Sequence, residues 1–224
     1  MTEEINGQYV LKHPVAMVWP KLVTPEGFEK KPPLSYSVDW LLDPDGEDLI
    51  ALKELFKAVA RAESQEPFAS MNSPFKDGNR EADKQRDKAS NKGHTDKAAY
   101  YRGKVILKAG TGEQYPPALG VFKNNDPKQG VIDLGTSGTL YSQYTGNKNG
   151  GGWFYSGAIA GGVVRLKFYK KKNDTQRDGV KAYLGGVVST GKGERLAGGV
   201  NLTSVYGSVT HEDPTQGSAD DIAF

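Results

Sequence analysis

The run of residues 163–172, in which inward and outward side chains alternate from Val164 to Tyr169, restricts the fold of this chain more than any other feature. Successive side chains of a β-strand point to opposite faces, so this run has one face suited to a core and one suited to solvent. The apolar face carries Val164, Leu166 and Phe168. The outer face is basic and aromatic, and it carries Arg165, Lys167 and Tyr169. The pattern predicts a strand with one buried side.

Further β-rich runs indicate that this strand belongs to a larger sheet. Residues 179–188 follow a turn at 173–178, and the two runs together predict a hairpin. Residues 34–40 alternate in the same way, and residues 9–19 form a run interrupted by Pro14, as in an edge strand or a bulge. Glycines that suit the tight bends of a small closed barrel occur at 157, 161, 162, 185 and 186. We therefore expect a mainly β fold.

Helical patterns are confined to one or two places. Between residues 48 and 62 the apolar side chains recur at helical spacing, which predicts a helix that packs on the core. Residues 66–99 mix charges of both signs with Asn, Gly and Ser, so we expect a long mobile loop with a solvated helix at 79–90. Such a loop could fold over a bound strand, or it could be a surface excursion without a ligand.

The net charge of +2 conceals a strong internal division. Residues 1–65 carry 7 basic and 11 acidic side chains, a net charge of −4. Residues 100–172 carry 11 basic and 3 acidic side chains, a net charge of +8. A basic segment interleaved with Tyr, Trp and Phe favours a nucleic-acid partner.

Binding a single nucleic-acid strand requires cations that follow the phosphates and rings on which bases stack, at about 1–3 kcal/mol per base. The run 100–108 predicts a strand with a basic side, and it would form a positive platform with 163–172 if the two strands are neighbours. In 150–155, three aromatic residues follow three glycines, so we expect at least one exposed ring. The residues predicted to contact DNA are Tyr101, Arg102, Lys104, Lys108, Trp153, Tyr155, Arg165, Lys167 and Tyr169.

Residue types that build catalytic or metal centres are scarce. The three histidines, His13, His94 and His211, are distributed over an early strand, the predicted loop and the C-terminal end. This spacing indicates neither a catalytic dyad nor a metal cluster. Because Cys is absent, disulfides and thiolate metal sites are excluded. We expect no enzyme activity, no cofactor and no metal.

Length and hydropathy predict one soluble domain. A chain of 224 residues that is 37% hydrophobic can bury the core of a single domain, which we place at residues 1–210. No run of about eighteen apolar residues occurs, and the acidic N-terminus has no apolar segment like that of a signal peptide. The lack of Cys fits a reducing compartment. We expect a cytoplasmic protein without a membrane partner.

The C-terminal residues 211–224 predict a disordered interaction tail. They carry four acidic side chains and neither Lys nor Arg. Their composition buries too little apolar surface to offset the entropy of ordering. The terminal Phe224 carries a ring and an α-carboxylate, which a partner with an apolar pocket and an Arg could bind together. The residues predicted to bind a partner are Asp220, Asp221, Ile222 and Phe224. The alternative is a solvated tail that only aids solubility.

The tip of the tail resembles that of bacterial single-stranded DNA-binding proteins. Their pattern is Asp-Asp-Asp-Ile-Pro-Phe, and this chain has Asp220-Asp-Ile-Ala-Phe224, with Ala219 in place of the first Asp and Ala223 in place of the Pro. The body is similar to a family of bacteriophage single-stranded DNA-binding proteins over most of residues 9–200. The matching segments include Trp19-Pro-Lys-Leu, the strand of Tyr36, Tyr100-Tyr-Arg-Gly-Lys104, Tyr155-Ser-Gly157 and Gly179-Val-Lys-Ala-Tyr-Leu-Gly-Gly186.

The resemblance implies an oligonucleotide-binding (OB) fold, which is a five-stranded barrel, with an added helix and an acidic tail that ends in Phe. It also implies that the tail contacts replication proteins such as polymerase and helicase-primase, and occupies the DNA groove when DNA is absent. Electrostatics agrees, because a segment of charge −4 tethered to a surface of charge +8 should compete with phosphates.

The expected function is therefore non-catalytic, largely sequence-independent binding of single-stranded DNA in phage DNA replication, recombination or repair, in the host cytoplasm. Two alternatives stay open. One is a strand-annealing recombination protein, and the other is a β-protein whose basic face binds RNA or duplex. The sequence does not set the oligomeric state, and a homodimer is compatible with it.

Overall fold

The structure is a computed structural model that describes residues 7–27, 29, 31–92, 98–146, 152–171, 173, 176–194 and 196, with only the backbone of 87–92 and 98. The strands in this part of the chain are β1 (Gln8–Val10), β2 (Val15–Glu26), β3 (Ser35–Leu42), β4 (Phe75–Asp77), β5 (Val105–Gly112), β6 (Ala118–Phe122), β7 (Val131–Asp133), β8 (Ile159–Tyr169) and β9 (Gly179–Ser189). The α-helices are α1 (Glu47–Glu63), α2 (Gly78–Lys92) and α3 (Thr139–Thr145).

Five of these strands close into a barrel. β2 pairs with β3, β3 with β5, β5 with β9, β9 with β8, and β8 pairs back to β2. All of these pairings are antiparallel except β5 with β9, which is parallel. The predicted hairpin is confirmed as β8 and β9, and the predicted five-stranded OB-fold barrel is confirmed as well. β1, β4, β6 and β7 add to the outside of this ring.

The barrel interior is filled by the apolar faces that the alternation predicted. Val164 and Leu166 of β8 are buried, as are Val38 and Trp40 of β3. Gly162 is required beside Trp40, because a Cβ at position 162 would lie 2.3 Å from the Trp40 ring. The Trp40 indole therefore packs directly against the backbone of Gly162.

Helix α1 confirms the helix predicted from apolar spacing, and a buried carboxylate joins it to the first strands. Asp48 accepts hydrogen bonds from the Tyr9 hydroxyl at 2.8 Å and from the backbone N–H groups of Lys12 at 2.9 Å and His13 at 3.0 Å. Burial raises the pKa of Asp48, but these hydrogen bonds outweigh it and hold that pKa below its ordinary value. The carboxylate thus fixes the link between β1 and β2 against α1.

The expectation of a long loop is wrong for residues 66–92. Helix α2 confirms the predicted solvated helix and extends beyond it, and β4 pairs with β5. Phe68 and Phe75 lie 6.2 and 6.1 Å, between ring centroids, from Phe56 of α1. These aromatic contacts attach residues 66–92 to the core. The sequence did not predict this attachment, because the segment is rich in charged residues.

Two other expectations differ from the structure. The strand predicted from residue 100 begins at Val105, because Ala98–Tyr101 is a 3-10 helix and Gly103, at φ +70°, turns the chain. The described chain has three α-helices instead of one or two, since the short α3 was not predicted. The predicted tail at 211–224 and the domain boundary at 210 lie outside the described residues. None of the described helices is long and apolar enough to cross a membrane.

Candidate nucleic-acid interface

A groove of about 600 Å³ crosses the outer face of the barrel over β2, β3, β5 and β9. We call it the strand groove. Its walls combine rings with positive and polar groups from elements that are distant in sequence. Its lining includes the side chains of Trp19, Lys21, Asp39, Lys108, Tyr169 and Lys181. The barrel closure thus brings together residues separated by more than 150 positions.

The indole ring of Trp19 is exposed at this groove and is fixed by a hydrogen bond. Its side chain is 46% exposed, and its indole Nε1 donates a hydrogen bond of 2.6 Å to the Tyr101 hydroxyl. The backbone of Trp19 has φ +49°, in the left-handed region that a bulky residue rarely adopts. Pro20 follows, and the register of β2 against β3 shifts between Val18 and Lys21. This bulge turns the indole outward while Tyr101 fixes its edge.

Tyr101 was predicted to contact DNA, but the structure places it beneath the surface. The residue is 3% exposed and belongs to a small cluster between α2 and the sheet. The other buried members of that cluster are Val18, Leu41, Ala82 and Ile106. Burial raises the pKa of the Tyr101 hydroxyl. Tyr101 is thus a support for Trp19, because its 3-10 helix turns its ring inward.

The cations on the β2 and β5 side of the groove have acidic neighbours. The Lys108 Nζ atom lies 3.2 Å from Asp39 Oδ2, and the Lys21 Nζ atom lies 2.9 Å from Glu26 Oε2. The Asp39 side chain is only 18% exposed. Burial raises the pKa of Asp39, and the adjacent ammonium of Lys108 offsets only part of that rise. Any phosphate that approaches Lys108 must compete with this carboxylate.

The β8 and β9 side of the barrel is different. Within the described ranges, no acidic side chain forms an ion pair with Arg165, Lys167 or Lys181. Lys167 and Lys181 are direct cross-strand partners, and their Nζ atoms lie 5.9 and 5.2 Å from the centroid of the Tyr183 ring. Like charges opposite each other destabilise a sheet. Their presence here suits a surface that binds an anion.

The condition set for the predicted basic platform, that its two strands are neighbours, is not met. β5 and β8 are not neighbours, because β9 lies between them. The β5–β9 register pairs Ala109 with Ala182 and so sets Lys108 beside Lys181, whose partner on β8 is Lys167. Lys108 and Tyr169 line the strand groove, and Arg165 and Lys167 lie on the adjoining surface of β8.

Seven of the nine residues predicted to contact DNA lie outside the strand groove. Three of them are Tyr101, Arg165 and Lys167, described above, and the other four lie elsewhere on the molecule. Arg102 forms an ion pair of 3.2 Å with Asp83, and Lys104 forms an ion pair with Asp43 in a separate hollow beside β4. Trp153 and Tyr155 are half-buried. The Trp153 ring meets the Tyr144 ring edge-on at 4.8 Å, and the Tyr155 hydroxyl donates to the Gly193 carbonyl at 2.8 Å. Both rings pack against the core, and Phe154 is half-buried as well, whereas at least one exposed ring had been expected among these three residues.

The sequence analysis missed five residues of this face. They are Trp19, Lys21, Tyr115, Lys181 and Tyr183. The signal for Lys181 and Tyr183 was present, since they alternate along β9 with the buried Val180, Ala182 and Leu184. The same alternation of buried and exposed side chains predicted the outer face of β8. In the part of the chain that the structure describes, no three His, Asp or Glu side chains converge as metal ligands.

Comparisons with known proteins extend these observations. No protein-family model and no curated protein sequence matches the chain. Its fold does match solved structures of the single-stranded DNA-binding protein from bacteriophage Enc34. The structure of that protein in complex with single-stranded DNA has a TM-score of 0.58 and 14% identity, over 88% of this chain and 97% of that chain.

Two further structures of the Enc34 protein match at the same identity of 14%. One has a TM-score of 0.55 over 92% of this chain and 97% of that chain. The other, a C-terminal truncation, has a TM-score of 0.53 over 87% of this chain and 95% of that chain. The likeness at this identity is one of fold, and the resemblance to phage single-stranded DNA-binding proteins is confirmed at that level.

Proposed function

We propose that this chain binds single-stranded DNA along the strand groove, without catalysis and with little dependence on base sequence. The observation that carries the proposal is the union, on one barrel face, of the exposed Trp19 and Tyr169 rings with Lys21, Lys108 and Lys181. This face includes β3 and β5, the second and third strands of the barrel. OB-folds bind oligonucleotides on the face of those strands.

The chemistry of the groove fits a flexible, extended polyanion. Bases stack on exposed rings regardless of their identity, and lysines contact phosphates as point charges. Neither contact reads the edge of a base, so sequence preference stays weak. The fold shared with the Enc34 protein, solved in complex with single-stranded DNA, supports this proposal.

The biological setting follows from the same proposal. Coating of exposed strands serves phage DNA replication, recombination or repair, and places the protein in the host cytoplasm. The acidic residues 211–224 would recruit replication proteins such as polymerase and helicase-primase, and would compete with DNA for the basic face. The support for this role is the charge of the tail and its terminal Phe224.

A fluorescence competition tests the proposal. Labelled single-stranded DNA is displaced by unlabelled single-stranded DNA, duplex DNA and RNA of equal length at one salt concentration. We expect single-stranded DNA to compete at least 10-fold better than duplex. Equal competition by duplex or stronger competition by RNA would overturn the proposal. An annealing assay with complementary strands, run in parallel, distinguishes a strand-annealing protein, which would accelerate pairing above the rate without protein.

A further inference from the structure

A second concavity adjoins the strand groove on the β8 and β9 side of the barrel. It has a volume of about 570 Å³, and we call it the distal hollow. Its lining comes from β1, β5, β8, β9 and the turn after β5. Its lining includes Gly112, Tyr115, Arg165, Lys167 and Tyr183. None of the described residues that line it is acidic, in contrast to the strand groove with its Asp39.

The two concavities lie next to each other along β5 and β9. Lys181 lines the strand groove, Tyr183 lines the distal hollow, and the Lys181 Nζ atom lies 5.2 Å from the centre of the Tyr183 ring. On the β5 side, Gly110 lines the first concavity and Gly112 the second. A Cβ at Gly112 would meet nothing within 4 Å. On β5, Gly110 and Gly112 therefore place no side chain between the strand groove and the distal hollow.

The distal hollow combines an exposed ring and cationic side chains with an apolar floor. Tyr115 is 70% exposed, the most exposed of the large apolar and aromatic side chains in the described residues. It sits on a turn closed by a 2.9 Å hydrogen bond from its own N–H to the Gly112 carbonyl. Arg165 and Lys167 form no ion pair with a described acid, and the Lys167 Nζ atom lies 5.9 Å from the centroid of the Tyr183 ring. A ring beside unpaired cations suits a base and its phosphate.

We propose that the distal hollow is a second nucleotide subsite, which holds bases of the same strand beyond the strand groove. Tyr115 stacks on a base, while Arg165 and Lys167 contact the phosphates on either side of it. The proposal rests on the proposed function, since it assigns a further stretch of the same ligand. It implies that affinity continues to increase with oligonucleotide length after the strand groove is filled.

A length series separates the two subsites. Full-length protein is titrated with oligothymidines from about 4 to about 16 nucleotides, the range of site sizes for OB-folds. The Tyr115→Ser variant should bind the shortest bound oligonucleotides like the wild type. It should bind the longest ones about 5-fold or more weakly, the lower end of the loss for one stacked base. The matched Trp19→Leu variant should lose affinity at every length.

A second variant keeps the proposal testable if Tyr115 has another role. Gly112→Glu adds a carboxylate to the distal hollow at a position with room for a side chain. It should give the same length-dependent loss, more strongly at low salt. If both variants lose affinity equally at all lengths, or at none, the second subsite is wrong and the proposed function stands. If the wild type binds no oligonucleotide of any length, the proposed function itself is wrong.

Discussion

The ammonium of Lys108 lies 3.2 Å from the carboxylate of Asp39, within the groove that is proposed to bind a polyanion. An acid at this position lowers the positive potential and occupies a cation that phosphate would otherwise contact. It also orients Lys108 across the floor between β3 and β5. The pair therefore limits affinity while it sets geometry.

Replacing the acid with its neutral isostere should tighten DNA binding. In Asp39→Asn the Lys108 ammonium no longer has a carboxylate partner and can contact a phosphate. We therefore expect about 3- to 10-fold higher affinity for single-stranded DNA at low salt, from the added attraction between Lys108 and one phosphate. The dependence of log K on log salt should steepen by about 0.7 for one additional phosphate contact. Fluorescence titration over a salt series measures both. Weaker binding would instead show that Asp39 is needed to position Lys108.

The same residue makes stability depend on pH in an unusual direction for a carboxylate. Burial raises the pKa of Asp39 in the folded protein above its ordinary value of 3.8. A raised folded pKa contributes stability that is fully present below the unfolded pKa and is lost as pH rises through the folded pKa. The free energy of unfolding of the wild type, relative to Asp39→Asn, should therefore fall as pH rises upward from about 3.8. Urea unfolding of both proteins at several pH values measures this difference, and a difference that increases with pH would contradict it.

The hydrogen bond under Trp19 should matter more for binding than for folding. Tyr101→Phe keeps the buried ring and removes the hydroxyl that accepts the indole N–H. We expect a stability loss of about 1 kcal/mol or less, since the exposed indole can bond to water. Affinity for single-stranded DNA should fall several-fold because the indole loses its fixed orientation. The salt slope should not change, since no cation is altered.

A matched control is Trp153→Phe, because Trp153 packs edge-on against Tyr144 away from the groove. This variant should bind single-stranded DNA like the wild type. DNA should also quench its tryptophan fluorescence as much as that of the wild type, because Trp19 is still present. Quenching that disappears in Trp153→Phe and persists in Trp19→Leu would reverse the assignment of the stacking tryptophan.

The opposed lysines on β8 and β9 predict a gain in stability at the expense of binding. Lys167 and Lys181 face each other in register, which is a repulsive cross-strand pair. Lys167→Gln or Lys181→Gln should therefore preserve or raise the melting temperature. Each variant should weaken DNA binding and reduce the salt slope by about 0.7. A variant that melts at a lower temperature and binds DNA normally would show that these lysines serve the fold alone.

The sequence predicted the parts of this molecule that depend on local pattern. Alternation located β8 and its outer face, and helical spacing located α1. The strand groove could not be predicted in this way, because Trp19, Lys108 and Lys181 meet only after the barrel closes. Tyr101 shows a second limit. Its neighbours read as a β-run, but the positive φ of Gly103 and the burial of Ala82 against Tyr101 turn that segment into a 3-10 helix beneath the surface.

Removal of residues 211–224 should tighten binding of single-stranded DNA at low salt. An acidic tail tethered to the chain that carries the basic face has a high effective concentration there, so it should compete with phosphates. The effect should vanish near 1 M salt, where the Debye length is about 3 Å. A full-length variant with four neutral replacements tests whether the charge of the tail, and not its terminal ring, competes with DNA. The replacements are Glu212→Gln, Asp213→Asn, Asp220→Asn and Asp221→Asn. This variant keeps Phe224, and its affinity for single-stranded DNA should equal that of the protein that lacks residues 211–224. If the affinity of both proteins equals that of the wild type throughout the salt series, the tail does not compete for the groove.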